Sequence, residues 1–225
     1  MYILNLETST KNCSVALAEN GKTVAIREIS EEGYSHAEFL HVFIEEVLSE
    51  ANITFKDLSA VAVGQGPGSY TGLRIGVSAA KGLCYALDIP LISINTLLTM
   101  AKNVTVPVGL IVPMIDARRM EVYTVVYDKN YNIIEAISAK ILDENSFNNI
   151  SEKIYIVGDC QDKVKTTLTD SKFIFLENHK YPTAATMSDM SYDKFLRQDF
   201  EDVAYFEPLY LKDFWSPAMV KTKQY

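Results

Sequence analysis

The sequence predicts an α/β protein made of two successive lobes, each a mixed five-stranded sheet with flanking helices. Three observations carry this expectation. The first half orders three strand-like stretches ahead of an alternation of helix and strand, and the second half repeats that order. The chain has 225 residues, enough for two units of about 100 residues each. Its composition, 48% apolar and 22% charged, is that of a protein with a full core. The division expected is 1–104 for the first lobe and 105–225 for the second with a tail.

In the first half, Tyr2 to Leu6, Cys13 to Ala18 and Thr23 to Ile29 read as strands, separated by Ser9-Thr10-Lys11-Asn12 and Glu19-Asn20-Gly21. Short connections with Asn-Gly chemistry imply an antiparallel meander. Ser35 offers an N-cap with Glu38 three residues on, and Leu40, Phe43, Ile44, Val47, Leu48 and Ala51 recur at helical spacing. Leu58 to Gly64 is a continuous apolar run of strand length. The loop Gln65 to Thr71 leads to a second helix, Gly72 to Leu87, closed by Asp88-Ile89-Pro90, and Leu91 to Ile94 is a fifth strand. A buried strand joined to the next through a helix implies a parallel pair.

The second half reads as strands at Val108 to Ile115, Glu121 to Tyr127 and Ile133 to Ile141, then a short polar helix from Asp143 to Asn149. Strand, helix and strand follow at Ile154 to Val157, Gln161 to Leu168 and Phe173 to Leu176. A last helix, Ala184 to Arg197, precedes a tail, Glu207 to Tyr225, that the pattern does not place. Two copies of this order are what the actin, sugar kinase and Hsp70 superfamily uses, so the chain is expected to form two ribonuclease-H-like lobes with a cleft between them.

Charge and composition narrow the function. The formal charge is −8 and the basic residues are scattered, whereas a polyanion-binding surface needs them clustered. The longest apolar stretch, Val104 to Ile115, falls short of the ~20 residues that span a membrane. Met1 to Glu7 does not read as a signal peptide, so a cytoplasmic protein without a membrane role is expected. Cys13, Cys84 and Cys160 are odd in number and form no CxxC pair, which predicts three reduced, buried thiols. His36 and His41 would stand ~140° apart around a helix, too far to chelate one ion. No GxSxG elbow announces a nucleophile.

Three segments carry a narrower likeness: Ile3-Leu4-Asn5-Leu6-Glu7-Thr8-Ser9, Gly66-Pro67-Gly68-Ser69-Tyr70-Thr71-Gly72-Leu73-Arg74-Ile75-Gly76, and Ile115-Asp116-Ala117-Arg118-Arg119-Met120-Glu121-Val122-Tyr123. With these motifs the chain resembles the TsaB (YeaZ) family, over the first ~125 residues by motif and beyond them by order of elements. The resemblance implies a scaffold that activates a TsaD-type catalytic subunit in threonylcarbamoyl transfer to tRNA. It further implies assembly with a TsaE-type ATPase subunit, contact with tRNA through the complex, and a homodimer in isolation. No tightly bound cofactor is implied, with ATP or ADP held only within the complex.

In the active superfamily members the first motif faces nucleotide phosphates, so Glu7, Thr8 and Ser9, with Gly68 and Ser69 at the start of the second helix and Gly158 and Asp159 opposite, form a residual nucleotide or anion site by resemblance. Glu7 also reads as a strand-end residue fixing a turn, and Gly66-Pro67-Gly68 as a turn needing glycine dihedrals. Ser69 to Gly72 would offer free N–H groups at a helix N-terminus. Gly158 is the only glycine in the opposing loop, which argues against strong nucleotide binding. The two metal-binding histidines of the catalytic relative correspond to Thr96 and Met100, which are poor ligands for a catalytic metal, so no metal is expected. Asp116, Arg118, Arg119 and Glu121 form a family motif whose role is open. The alternative to a scaffold is a small-molecule kinase or ATPase that uses Glu7 and the Gly158 turn.

Gly72, Gly76 and Ala80 are spaced by four and give the second helix one smooth face, suited to a partner helix or to the lobe's own sheet. The resemblance favours the partner. It assigns His36, Phe39, Leu40 and Phe43 on the first helix, and Leu73, Arg74, Gly76, Val77, Ala80 and Lys81 on the second, to the interface with the catalytic subunit. On that expectation Gly76→Arg blocks pairing and leaves the monomer folded.

Overall fold

The computed structural model describes residues 1–30 and 36–212. Ser35 and the tail beyond Lys212 lie outside the described residues. The first sheet contains β1 (Tyr2–Glu7), β2 (Cys13–Glu19), β3 (Lys22–Ile29), β4 (Leu58–Gly66) and β5 (Leu91–Asn95) in the order β3-β2-β1-β4-β5. β1 pairs antiparallel with β2 and parallel with β4, and β4 pairs parallel with β5. The second sheet repeats this with β6 (Leu110–Asp116), β7 (Glu121–Asp128), β8 (Ile133–Ile141), β9 (Ile154–Val157) and β10 (Phe173–Phe175) in the order β10-β9-β6-β7-β8. The duplicated mixed sheet expected from the sequence is therefore present. Among the described residues, no helix is long and apolar enough to cross a membrane.

α1 (His36–Glu50) and α2 (Tyr70–Leu87) cover one face of the first sheet. Leu40, Phe43, Ile44, Val47 and Leu48 of α1 and Val77, Ala80 and Cys84 of α2 meet Leu4, Leu6, Val15, Leu17, Val61 and Val63 of the strands. α2 starts two residues earlier than expected, because the Ser69 side chain accepts the Gly72 N–H and caps the helix. It ends at Asp88, whose φ of 54° closes the last turn. All three cysteines are free and buried.

α3 (Thr96–Lys102), whose N-cap is the Asn95 side chain, joins the lobes. Leu97, Met100 and Ala101 pack with Ile111, Ile115, Val125, Tyr127 and Val157 of the second sheet. The interlobe contact is thus a hydrophobic core, and the helix behind the fifth strand supplies it.

The other face of the first sheet is covered from far along the chain. A 3₁₀ turn, Ala184–Met187, and α5 (Ser188–Leu196) bring Ala184, Met187 and Met190 against Ile3, Ala16, Ala62, Ile92 and Ile94. Glu201 then bridges to Leu91, and the Leu209 N–H reaches the Gln65 carbonyl at 2.7 Å. A boundary at 104 therefore does not divide the chain into separate units: the second half returns its last helix and the following strap to the first lobe. The expected single helix Ala184 to Arg197 is split because its first turn is 3₁₀.

Two further expectations change. Residues 144–149 form turns rather than a helix, because the Asp143 carboxylate captures the Asn145 N–H at 3.0 Å and the Ser146 hydroxyl at 2.9 Å. Such local bonds compete with the helical ladder. α4 (Gln161–Lys165) is five residues long, shorter than the span to Leu168.

The smooth face of α2 packs inward. A Cβ on Gly72 would stand 2.1 Å from the Thr8 carbonyl oxygen, and one on Gly76 would stand 2.2 Å from Thr8 Oγ1. Gly82, by contrast, has no neighbour within 4 Å of its Cβ position among the described residues. Opposite effects on stability follow. Gly76→Ala is expected to lose about 1–3 kcal/mol through overpacking. Gly82→Ala is expected to gain up to about 1 kcal/mol from helix propensity. Urea unfolding of the two variants checks both signs, and Gly76→Arg is expected to disrupt the monomer, contrary to the sequence expectation.

Candidate functional site

β1 ends at Glu7, and the turn after it is sealed inside the first lobe: Glu7, Thr8 and Ser9 are 0%, 1% and 0% exposed. Glu7 Oε1 accepts the Ser9 N–H at 2.8 Å and Oε2 accepts the Thr96 hydroxyl at 3.2 Å. The Thr96 oxygen in turn accepts the Gly66 N–H at 3.2 Å. Burial pushes the Glu7 carboxyl above its ordinary value, with hydrogen bonds from Ser9, Thr96 and Thr8 pulling the other way. Thr96 is thus a hydrogen-bond partner of the strand-end carboxylate. The residue pattern did not show this, because Thr96 is 89 residues from Glu7 in the chain.

Glycines make room for this turn. A Cβ would stand 2.3 Å from Glu7 Oε2 at Gly64, and 2.2 Å from the Ser9 carbonyl oxygen at Gly68. With Gly72 and Gly76 they form a row of four at four-residue spacing, all facing residues 7–9. The Thr8 hydroxyl donates to the Gly72 carbonyl at 2.8 Å, and the Ser69 N–H donates to the Ser9 carbonyl at 2.6 Å. The helix N-terminus is therefore partly spent. Ser69 donates to Ser9, and Gly72 donates to the Ser69 side chain at 3.3 Å.

The opposing turn is also engaged. The Gly158 N–H donates to the His179 carbonyl at 2.9 Å, and the Met100 Cε methyl lies 3.3 Å from where a Gly158 Cβ would stand. Asp159 accepts a long hydrogen bond from the Asp116 N–H, 3.4 Å, and its carboxyl is raised, first by burial and then by the like charge of Asp116. The Glu7 carboxyl is enclosed; beside it the Ser9 and Ser69 N–H groups and the Thr8 hydroxyl are bonded within the chain, whereas the buried Ser9 hydroxyl has no hydrogen-bond partner among the described residues. Among the described residues, no group of three or more His, Cys, Asp or Glu side chains is placed to hold a metal ion.

The family motif forms the hairpin between β6 and β7. The Asp116 carboxylate accepts the Arg118 N–H at 2.9 Å and pairs with Lys163, and Glu121 pairs with Lys212. The chain turns with φ of 72° at Arg118 and 53° at Arg119. A left-handed conformation costs a residue with a Cβ roughly 1–2 kcal/mol, so two successive arginines hold it against their preference.

The predicted interface residues separate into two sets. Leu40, Phe43, Leu73, Gly76, Val77 and Ala80 are buried in the chain's own core, because they face the first sheet. Phe39 is half-buried with its ring 5.6 Å from Phe43, and His36 opens α1 half-buried. Arg74 and Lys81 hold the strap. Lys81 Nζ donates to the carbonyls of Ala204 at 3.0 Å and Phe206 at 3.1 Å. Arg74 donates to the Tyr210 hydroxyl at 3.4 Å and lies 4.3 Å from the Tyr70 ring centroid. The exposed face of the two helices carries His41, Val42 and Glu45 on α1 and Ser78, Gly82 and Tyr85 on α2. Val42 is 46% and Tyr85 86% exposed, large apolar groups to leave in water.

The family model for TsaD, tRNA N6-adenosine threonylcarbamoyltransferase, matches residues 30–205. The tRNA threonylcarbamoyladenosine biosynthesis protein TsaB of Escherichia coli (strain K12) is 36% identical over 134 residues, covering 59% of this chain and 57% of that protein. The match thus spans little more than half the length of that relative. The protein of the same name from Buchnera aphidicola subsp. Acyrthosiphon pisum (strain APS) is 30% identical over 189 residues, 79% of this chain and 85% of that one. YeaZ from Pseudomonas aeruginosa has the same fold, with a TM-score of 0.79 over 93% of this chain and 99% of that chain at 24% identity.

The raised carboxyl of Glu7 gives a pH test. A raised carboxyl contributes stability that is fully present below its ordinary value of 4.5 and is lost as pH rises through its folded value. Relative to Glu7→Gln, the unaltered chain is therefore expected to be most favoured at acid pH and to lose that advantage toward neutrality. Melting curves of both between about pH 4 and about pH 8 check this, and a constant difference would contradict it.

Proposed function

The chain belongs to the TsaB family, and from that membership we propose that it serves the formation of threonylcarbamoyladenosine in tRNA as a non-catalytic subunit. It pairs with a TsaD-type catalytic subunit through the exposed face of α1 and α2, and supports assembly with a TsaE-type ATPase subunit and tRNA. In isolation the same face pairs two copies of this chain, since a surface made for a related fold can also close on itself across a two-fold axis.

The observation that carries this reading is the exposed row Ser78, Gly82 and Tyr85 on α2, together with an exposed Val42 on α1. Gly82 weakens the helix by about 1 kcal/mol relative to alanine, and among the described residues nothing occupies the space above it. A second helix approaching closely would use it, with Tyr85 and Val42 supplying apolar contact. The enclosed Glu7 and the bonded Gly158 turn support the absence of chemistry in this subunit. They weigh against the alternative, a small-molecule kinase or ATPase of the same superfamily.

Gly82→Arg is expected to leave the fold intact, with a melting temperature equal to or above that of the unaltered chain, while abolishing co-elution with the catalytic subunit on a sizing column. Reconstituted tRNA modification should then fall to the level of the catalytic subunit alone. Full modification by the catalytic subunit without this chain would sink the proposal.

A further inference from the structure

The hairpin tip at Arg118 and Arg119 has no role in the core or in the ridge on α1 and α2. Its surroundings are arranged so that the two guanidiniums stay available. Asp116 is paired with Lys163, Glu121 is paired with Lys212, and Asp159 accepts the Asp116 N–H. Lysines thus take two of the three nearby carboxylates, and a backbone N–H reaches the third. Among the described residues, neither arginine has an ion-pair partner, and both are exposed. Both are also held at positive φ, where asparagine or glycine would sit with less strain. Strain kept at a site that packs nothing marks a site used for something else.

Two adjacent guanidinium forks suit phosphate oxygens, which they grip by paired hydrogen bonds. The tip ends the hairpin between β6 and β7 with both arginines exposed, whereas a small nucleotide needs a concave pocket to bury it. An extended phosphate backbone can be gripped from such an exposed tip. The chain's charge of −8 also means that any contact with RNA has to be local. Resting on the reading of the preceding subsection, we propose that the Arg118–Arg119 turn is a finger that holds backbone phosphates of the tRNA when the chain stands in its complex.

The test uses the complex of this chain with the TsaD-type subunit and measures tRNA binding across a salt series, with the double variant Arg118→Asn, Arg119→Gly. Relief of the turn should raise the melting temperature of the variant chain by about 2–4 °C, and the complex should still co-elute. Affinity for tRNA should fall by about tenfold, and the slope of log affinity against log salt should become shallower by about 1.4 for two lost contacts. Arg118→Lys with Arg119→Lys, which keeps the charges, should retain the slope. An intact complex with unchanged affinity and slope would overturn this proposal alone. Failure of the unaltered chain to form the complex would overturn the reading beneath it and this proposal with it. If the double variant loses ADP binding by the complex but keeps tRNA affinity, the phosphate gripped is the nucleotide's and the assignment to RNA is overturned.

Discussion

The structure depends on how residues 7–9 are seated. The end of β1 enters the space between β4 and α2 so closely that Gly64, Gly68, Gly72 and Gly76 each have backbone or side-chain atoms of that turn where a Cβ would be. The Thr8 hydroxyl and the Ser9 carbonyl then tie the turn to α2 by hydrogen bonds. Because interiors pack at crystal density, a single methyl at Gly72 or Gly76 would displace the turn or the helix. That constraint fixes the angle at which α2 crosses the sheet, and with it the direction in which the exposed side of α2 points.

From the same seat follows the character of the cleft. Once Glu7 is beneath Gly64, its carboxylate can be satisfied only from within, and Thr96 provides this from the start of α3. α3 carries Met100 toward the Gly158 turn of the second lobe and Leu97 into the interlobe core. One helix thereby links the enclosed carboxylate to the apolar joint between lobes. The strap that crosses α2, held by Arg74 and Lys81 and ending on the β6–β7 hairpin through Lys212, adds a second link between the lobes.

Much of this was legible in the sequence. The Asn20-Gly21 turn, the stripe from Leu40 to Leu48 and the apolar run of β4 announced the first sheet and its helices. The repeated order announced the second. What misled was spacing without direction: Gly72, Gly76 and Ala80 share a face whether it looks outward or inward, and only the position of Thr8 shows that it looks inward. The Glu7–Thr96 bond and the return of α5 to the first sheet join residues far apart in the chain, which no local pattern reveals. Asp143 to Asn149 failed as a helix for a local reason, since the Asp143 side chain offers the backbone a competing partner.

The central claim is that this chain closes its own nucleotide site. Titration calorimetry of the purified chain with ATP, ADP and magnesium tests it most directly. The account predicts no binding heat, with or without Glu7→Ala. Tight binding that Glu7→Ala abolishes would contradict it.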